Sequence, residues 1–142
     1  MTASPRDDYL VQQVMTATPQ KLQLMLIEAA LRHAQQAERL WQSHDDQAAG
    51  EALVRSQQIV TELLCGLNPE RDRRLVNQVA GVYLFIFRAL TEAQLRRSEQ
   101  RLAEAVRLLE IERETWQQIC RKLDAQRAEA QLLPSLDRVL EA

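Results

Sequence analysis

The sequence contains few of the residues that end helices. Its 142 residues include 3 glycines and 4 prolines, whereas these two types together average about 12% of a protein. A sheet protein with several tight turns needs more of both. The sequence also lacks the runs of β-branched residues that would predict the buried strands of a parallel-sheet nucleotide fold. Leucine and alanine are abundant instead, with 22 and 18 residues. This composition favours a single all-α domain built from long helices with few connections.

The chain also lacks an excess of charge of one sign. Its 18 Lys and Arg residues oppose 20 Asp and Glu residues, for a formal net charge of −2. A protein that binds duplex DNA usually presents a basic stripe. Here the densest basic clusters, at 71–74 and 96–101, are short and are interrupted by Asp72 and Glu99. We therefore expect no nucleic-acid partner.

No stretch is long and apolar enough to cross a membrane. The longest apolar run, 79–87, has half of the ~18–20 residues that a span requires, and the first residues lack the apolar core of a secretory signal. Cys65 and Cys120 do not form the closely spaced pair of a metal site, and the sequence predicts that both are reduced thiols. These features predict a cytoplasmic protein without membrane insertion.

Helix signals divide the chain into four long stretches. Thr18 and Pro19 form a capped start, after which apolar residues recur at steps of three and four. The core-facing residues predicted for this first stretch are Leu22, Leu26, Ala29, Ala30, His33, Ala37, Leu40 and Trp41. Short links between such helices favour antiparallel neighbours. We predict an antiparallel up-down four-helix bundle at 18–128, with an N-terminal segment (1–17) and a C-terminal tail (129–142) outside it, and with Pro134 ending the preceding helix.

Motifs for catalysis, metals and cofactors are missing. Neither histidine follows a glutamate by three residues, as the ligands of di-iron bundles do. The sequence has no Gly-rich phosphate loop, no Cys-x-x-Cys pair and no Gly-x-Ser-x-Gly elbow. His33 lies on the predicted inner face and lacks the neighbours typical of a phosphotransfer histidine, so we expect a histidine packed in the core or at its rim. The sequence predicts no enzyme activity, no catalytic residue, no metal and no cofactor.

The third helical stretch is apolar on all sides between Val82 and Phe87. If Tyr83 faces the core, Leu84 and Phe87 point to a common outer face. Leaving both in water forgoes roughly 3–6 kcal/mol, at ~1.5–3 kcal/mol each. A terminal segment of the chain, a second subunit or a partner chain would cover them, unless the bundle geometry turns them inward. An exposed apolar surface on a chain without catalytic motifs indicates a binding module.

Several short motifs follow one another between residues 9 and 123. Six residues separate Tyr9 from 16–19 (Thr-Ala-Thr-Pro), and Lys21-Leu22, Met25-Leu26, 28–32, 57–63 and Thr115-Trp116 follow in order. The same series includes a set of spaced residues in the third helical stretch: Tyr83, Arg88, Leu90, Glu92 and Ala93. This series resembles the FliS family of flagellar secretion chaperones. Ile27 stands where that family usually has Tyr, Ala29 where it has Gly, and Leu84 and Phe87 where polar residues are common.

The resemblance implies a cytoplasmic export chaperone. Such a protein binds the disordered C-terminal segment of flagellin, prevents its premature polymerisation and delivers it to the flagellar export gate. The resemblance implies that the N-terminal segment is a lid. The flagellin contacts expected from it are Tyr9, Val14, Ile27, Leu31, Tyr83, Leu84 and Phe87, with an ordinary core position as an equal alternative for Tyr83.

Three points stay open from the sequence. A homodimer could use the more apolar surface that Leu84 and Phe87 create. The tail residues Leu136, Val139 and Leu140 could occupy the empty client groove as an internal placeholder for flagellin. The competing interpretation of the whole chain is a helical-bundle interaction or adaptor protein of another secretion or signalling system.

Overall fold

The computed structural model describes residues 4–70 and 72–141, and every regular element in these ranges is an α-helix. The helices are α1 (Pro5–Thr16), α2 (Pro19–Gln42), α3 (Asp46–Cys65), α4 (Arg73–Arg96) and α5 (Glu99–Leu140). The all-α class is therefore confirmed. The sequence predicts four helices, whereas the described residues form five, because residues 5–16 of the N-terminal segment are a helix of their own.

Each helix begins at a side-chain cap. The side-chain oxygen accepts a hydrogen bond of 3.1–3.2 Å from the backbone N–H three residues later. The capping residues are Ser4, Thr18, Asp45, Asp72 and Ser98. Pro5 and Pro19 follow two of these caps, at a position where the missing proline N–H has no helical acceptor anyway. The local sequence thus determines where the helices start.

One core lies among the four longer helices. α2 packs on α3 and α5, and α4 packs on the same two helices. Small residues let α2 and α3 approach closely: Ala30 and Ala34 are fully buried, and the buried Ser56 hydroxyl donates to the Ala30 carbonyl at 2.8 Å. The large fully buried side chains are Ile27, Leu31, Leu53, Val60, Leu63, Tyr83, Ile86, Leu90, Leu102 and Leu109.

The buried face of α2 differs from the predicted one. Ala30, Ala37 and Trp41 are buried as predicted, but Leu22 is exposed, while Leu26, Ala29, His33 and Leu40 are only half-buried. The residues buried in their place are Leu24, Ile27, Leu31 and Ala34. Because α2 packs on two helices and residues 24–27 are all apolar, the hydrophobic period alone does not determine which side faces inward.

α5 is much longer than predicted, with 42 residues, or ~63 Å at 1.5 Å per residue. Pro134 lies inside it, so the prediction that this proline ends the helix is wrong. Pro134 has no N–H to donate to the Ala130 carbonyl. Every residue from Asp124 to Glu141 is exposed, so water can form the missing hydrogen bond with that carbonyl. The backbone continues without a break through the expected boundary at 128/129. We call residues 124–140 the α5 extension.

Candidate functional site

Apolar side chains on the surfaces of α1, α4 and α5 are the most unusual feature of the molecule. Within the described residues, no group of three or more His, Cys, Asp and Glu side chains could hold a metal ion. None of the described helices combines the length and apolar character of a membrane span. The candidate sites are therefore grooves and exposed faces.

α1 buries none of its residues. The predicted lid residues Tyr9 and Val14 are both on this helix, with 65% and 45% of their surface exposed. Two residues in extended conformation, Ala17 and Thr18, join α1 to α2. A cleft of about 290 Å³ separates the end of α1 from α5 and is lined by Gln13 and Leu123, among others. α1 is thus joined to α2 by two extended residues and buries no side chain against the bundle.

A shallow groove of about 560 Å³ runs between α3 and α4. Gly50 and Val54 line its α3 side and Gln94 lines its α4 side; we call it the α3–α4 groove. The Gln57 side-chain amide donates to the Gln94 carbonyl oxygen at 2.9 Å across the two helices. Phe87 is two turns before Gln94 on the same side of α4, and it packs half-buried against the core. Phe87 thus lies toward α3.

Leu84 remains on the surface, with 42% of its side chain exposed. The expectation that Leu84 and Phe87 are both exposed on one outer face therefore holds for Leu84, whereas the bundle turns Phe87 partly inward. Leu84 is one turn before Phe87 on α4, and both precede Gln94, the α4 residue that lines the α3–α4 groove. One ligand that lies along this side of α4 can contact both residues and continue into the groove.

A second groove, of about 530 Å³, lies between α4 and α5. Phe85 lines it together with Ala103, Arg107 and Leu108, and we call it the α4–α5 groove. Phe85 and Phe87 differ by about 200° around the helix axis, which places them on opposite flanks of α4. Phe85 was not among the contact residues expected from the sequence. The signal was present in the apolar run, but the flank that each residue takes depends on which helices lie beside α4.

Three of the expected contact residues are in the core. Ile27, Leu31 and Tyr83 expose 1% or less of their surface, because α2 and α4 turn these side chains toward the other helices. In this structure the three side chains are not on the surface, where a client could contact them. The exposed members of the expected set are Tyr9, Val14 and Leu84, and the structure does not bring all seven residues together as one surface.

Tyr83 belongs to a buried polar cluster. The Gln23 side-chain amide donates to its hydroxyl. Burial, with the negative charge of Glu112 adding to it, raises the pKa of Tyr83 to about 12. Burial also raises the pKa of the Glu112 carboxyl, and a hydrogen bond with Trp116 opposes this shift. The cluster therefore joins α2, α4 and α5 and favours its uncharged forms.

His33 is half-buried. Burial lowers the pKa of its imidazole, and the positive charges of Arg55 and Arg32 lower it further. This environment favours the neutral imidazole over its protonated form. It fits the expectation of a histidine packed among helices.

The α5 extension does not occupy a groove on its own bundle. Leu136, Val139 and Leu140 are exposed, the last by 82%. Leu136 is 28 residues after Leu108, which corresponds to ~42 Å along an unbroken helix. The hypothesis that these residues act as an internal placeholder for flagellin therefore does not fit the structure, since α5 would have to break first.

Comparison with known proteins gives two results. A family model described as "Flagellar protein FliS" matches residues 1–123. The chain is 30% identical over 115 residues to a protein of Bacillus subtilis (strain 168) named "Flagellar secretion chaperone FliS", covering 81% of this chain and 85% of that protein. It is 32% identical over 114 residues to the protein of the same name from Salmonella typhimurium (strain LT2), covering 80% and 84%. The α5 extension follows the residues matched by the family model.

Proposed function

Because this chain belongs to the FliS family of flagellar proteins, we propose that it is a flagellar secretion chaperone whose client is flagellin. It binds the disordered C-terminal segment of flagellin in the cytoplasm, prevents premature polymerisation and delivers the segment to the export gate. This role is that of a chaperone and assigns no catalytic step to the chain. The four helices α2–α5 serve as an antiparallel up-down bundle that presents the binding surface.

The observation that carries this proposal is the apolar surface around the α3–α4 groove. Leu84 is exposed on α4, and Phe87 is half-buried one turn further along, toward α3. Gly50 lines the groove, and apart from its own helix backbone and chain neighbours no atom lies within 4 Å of where its Cβ would stand. An amphipathic client helix can lay its apolar side against Leu84 and Phe87 and approach the α3 backbone at Gly50. Apolar segments covered in this way are no longer available for polymerisation.

The proposal gives α1 the role of a lid. Tyr9 and Val14 contact the client after α1 has moved, because they are exposed and no buried contact holds α1 in place. A disordered client must become ordered on binding, and this uses part of the interaction free energy. The complex is consequently weaker than its contact area suggests, which favours release at the export gate.

Calorimetric titration with the C-terminal segment of flagellin from the same source tests the proposal. We expect one-to-one binding with a negative heat-capacity change, as burial of apolar surface requires. Leu84→Asp should weaken binding by about tenfold or more, because a buried leucine contributes ~1.5–3 kcal/mol and 1.4 kcal/mol corresponds to tenfold. Val14→Asp tests the lid contact in the same way.

Leu75→Asp is the matched control. Leu75 is also on α4 and is 56% exposed, but it lies on the opposite side of the helix from Leu84. Both aspartate variants should fold, which thermal unfolding verifies. Equal loss of affinity in the two variants would contradict a site at the α3–α4 groove. Absence of binding at high micromolar concentration would contradict flagellin as the client and favour an adaptor protein of another secretion or signalling system.

A further inference from the structure

The outer side of α5 carries a continuous seam. From Leu108 onward, residues on this side recur at alternating steps of three and four, the heptad spacing of a coiled coil. The members of the seam are Leu108, Ile111, Thr115, Gln118, Lys122, Ala125, Glu129, Leu132, Leu136 and Val139. The buried residues of α5 are Leu102, Ala105, Val106 and Leu109. Leu108, where the seam begins, packs half-buried against the core, and from Ile111 onward the seam turns away from the buried side of the helix.

The seam is apolar at both ends and polar in the middle. At one end Ile111 is 43% exposed, and Leu108 lines the α4–α5 groove beside Phe85. At the other end Leu132, Leu136 and Val139 are exposed by between 47% and 71%. Exposing this many large apolar side chains to water on one side of a helix is unfavourable. Such a patch indicates a contact surface.

We infer that this seam pairs with the same seam of a second copy of the chain, in antiparallel orientation. The centre of the pairing lies between Leu123 and Asp124. Leu108 then faces Val139 of the partner subunit, and Ile111 faces Leu136 of the partner subunit. Thr115 faces Leu132 of the partner subunit, and the contacts repeat in reverse along the second half. Each apolar end of the seam covers the other, so the interface is self-complementary.

The polar middle of the seam fits this register. Gln118 faces Glu129 of the partner subunit, and Lys122, one turn further along, reaches the same carboxylate. Lys122 itself faces Ala125 of the partner subunit, which leaves room for its side chain. Parallel pairing in register would instead place Lys122 against Lys122 and Glu129 against Glu129. Like charges at facing positions are unfavourable, so the charges select the antiparallel arrangement.

The shape of the molecule also favours a second copy. Residues 108 to 139 span ~47 Å of helix, and contact over this length is in keeping with the ~1,200–2,000 Å² that specific interfaces bury. The α5 extension of each copy lies alongside the bundle part of α5 of the other, with Val139 and Leu140 of the partner subunit entering the α4–α5 groove at Phe85. The chain cannot fill this groove with its own extension while α5 stays unbroken.

Sedimentation of the full chain alone, over a range from low to several hundred micromolar, tests the interface without any client. We expect a monomer–dimer equilibrium. Leu136→Asp should raise the dissociation constant of the dimer by about tenfold or more. Leu95→Asp, an exposed leucine outside the seam, should leave the equilibrium unchanged. Monomer at every concentration, or a dimer that Leu136→Asp does not weaken, would overturn the inference.

The register is tested by charge and by cross-linking. Lys122→Glu and Glu129→Lys should each weaken the dimer, and the double variant should restore it. In a background with Cys65→Ser and Cys120→Ser, a mixture of Thr115→Cys and Leu132→Cys chains should form a mixed disulfide. Antiparallel pairing keeps the two copies of residue 115 about 25 Å apart along the helices. Disulfides of Thr115→Cys with itself, in place of the mixed product, would therefore show parallel pairing and overturn the antiparallel assignment.

Discussion

The guanidinium carbon of Arg97 lies 5.4 Å from the centre of the Trp41 ring. Arg97 follows α4 and Trp41 is in the last turn of α2, so this cation–π contact joins two helix ends. The Arg97 Nε also donates to the Asp46 carboxylate at 3.1 Å, at the start of α3. Arg97 has a φ of 49°, in the left-handed region that costs a non-glycine residue about 1–2 kcal/mol. The side-chain contacts offset this backbone cost.

Replacing Arg97 separates the two effects. Arg97→Ala should lower the free energy of unfolding by about 1–2 kcal/mol, from a cation–π contact of ~0.5–1 kcal/mol and a surface ion pair of up to ~1 kcal/mol. Arg97→Gly loses the same contacts but relieves the backbone, so it should be about 1 kcal/mol more stable than the alanine variant. Urea unfolding measures both, with Arg96→Ala as the control. A glycine variant no more stable than the alanine variant would contradict the backbone cost.

Glu112 should make stability depend on pH. Burial raises the pKa of its carboxyl, so its contribution to stability is full below the pKa of the unfolded chain, about 4.3, and is lost as pH rises through the raised value. Glu112→Gln removes this loss. The variant should therefore be more stable than the parent at neutral pH, with the difference vanishing in acid.

Unfolding by urea at neutral pH and near pH 4 measures this difference. Glu114→Gln, an exposed position on the same helix, is the matched control and should change stability little at either pH. If Glu112→Gln is less stable than the parent at neutral pH, the Glu112 carboxylate stabilises the buried cluster, contrary to the prediction.

The helices and their starts were largely predictable from the sequence. Thr18 caps α2 as the sequence indicates, since a cap needs only its own first turn. The inward direction of Tyr83, Ile86 and Leu90 was also predictable, because on α4 these residues form a single stripe at helical spacing. Local chemistry and clear periodicity are therefore sufficient for these features.

The other features depend on neighbours that periodicity does not identify. The buried side of α2 is set by two adjacent helices, and the apolar run at 24–27 fits more than one orientation. Pro134 is tolerated because nothing buries the α5 extension, a condition that the sequence around the proline does not reveal. Likewise, the assignment of Phe85 to α5 and Phe87 to α3 follows from the order of the helices around the core.

Two glycines allow a test of the α3–α4 groove. Gly50 and Gly81 are inside helices, and a Cβ added at either would meet no other atom within 4 Å. Gly50→Ala and Gly81→Ala should each raise the free energy of unfolding by about 0.5–1 kcal/mol, because alanine loses less backbone entropy on folding. Thermal unfolding measures this. A loss of stability at either position would contradict the open space beside it.

A larger side chain separates stability from binding at the same positions. Gly50 lines the α3–α4 groove, so Gly50→Leu should weaken the binding of the flagellin segment. Gly81 is exposed on α4 and does not line this groove, but it lies one turn before Leu84. Gly81→Leu should therefore weaken binding less than Gly50→Leu does. Titration calorimetry of the two leucine variants checks this contrast. Equal affinities would argue against a client that lies close to the α3 backbone.

Pro134 should weaken α5 locally and not the fold as a whole. Proline inside a helix is about 3 kcal/mol less favourable than alanine, and Pro134→Ala restores an N–H that can donate to the Ala130 carbonyl. We expect amide exchange at residues 135–140 to slow by about tenfold or more in this variant. The global free energy of unfolding should not change, because no residue from Asp124 to Glu141 is buried.

Hydrogen exchange read by mass spectrometry measures the local effect, and urea unfolding measures the global one, both at concentrations where the chain is monomeric. Ser135→Ala is the neighbouring control: it removes only the bond from the Ser135 hydroxyl to the Gln131 carbonyl and should alter exchange far less. A shift in global stability in Pro134→Ala would mean that the α5 extension unfolds together with the core. In that case its apolar side would already be covered within the monomer and would not be open to a second copy.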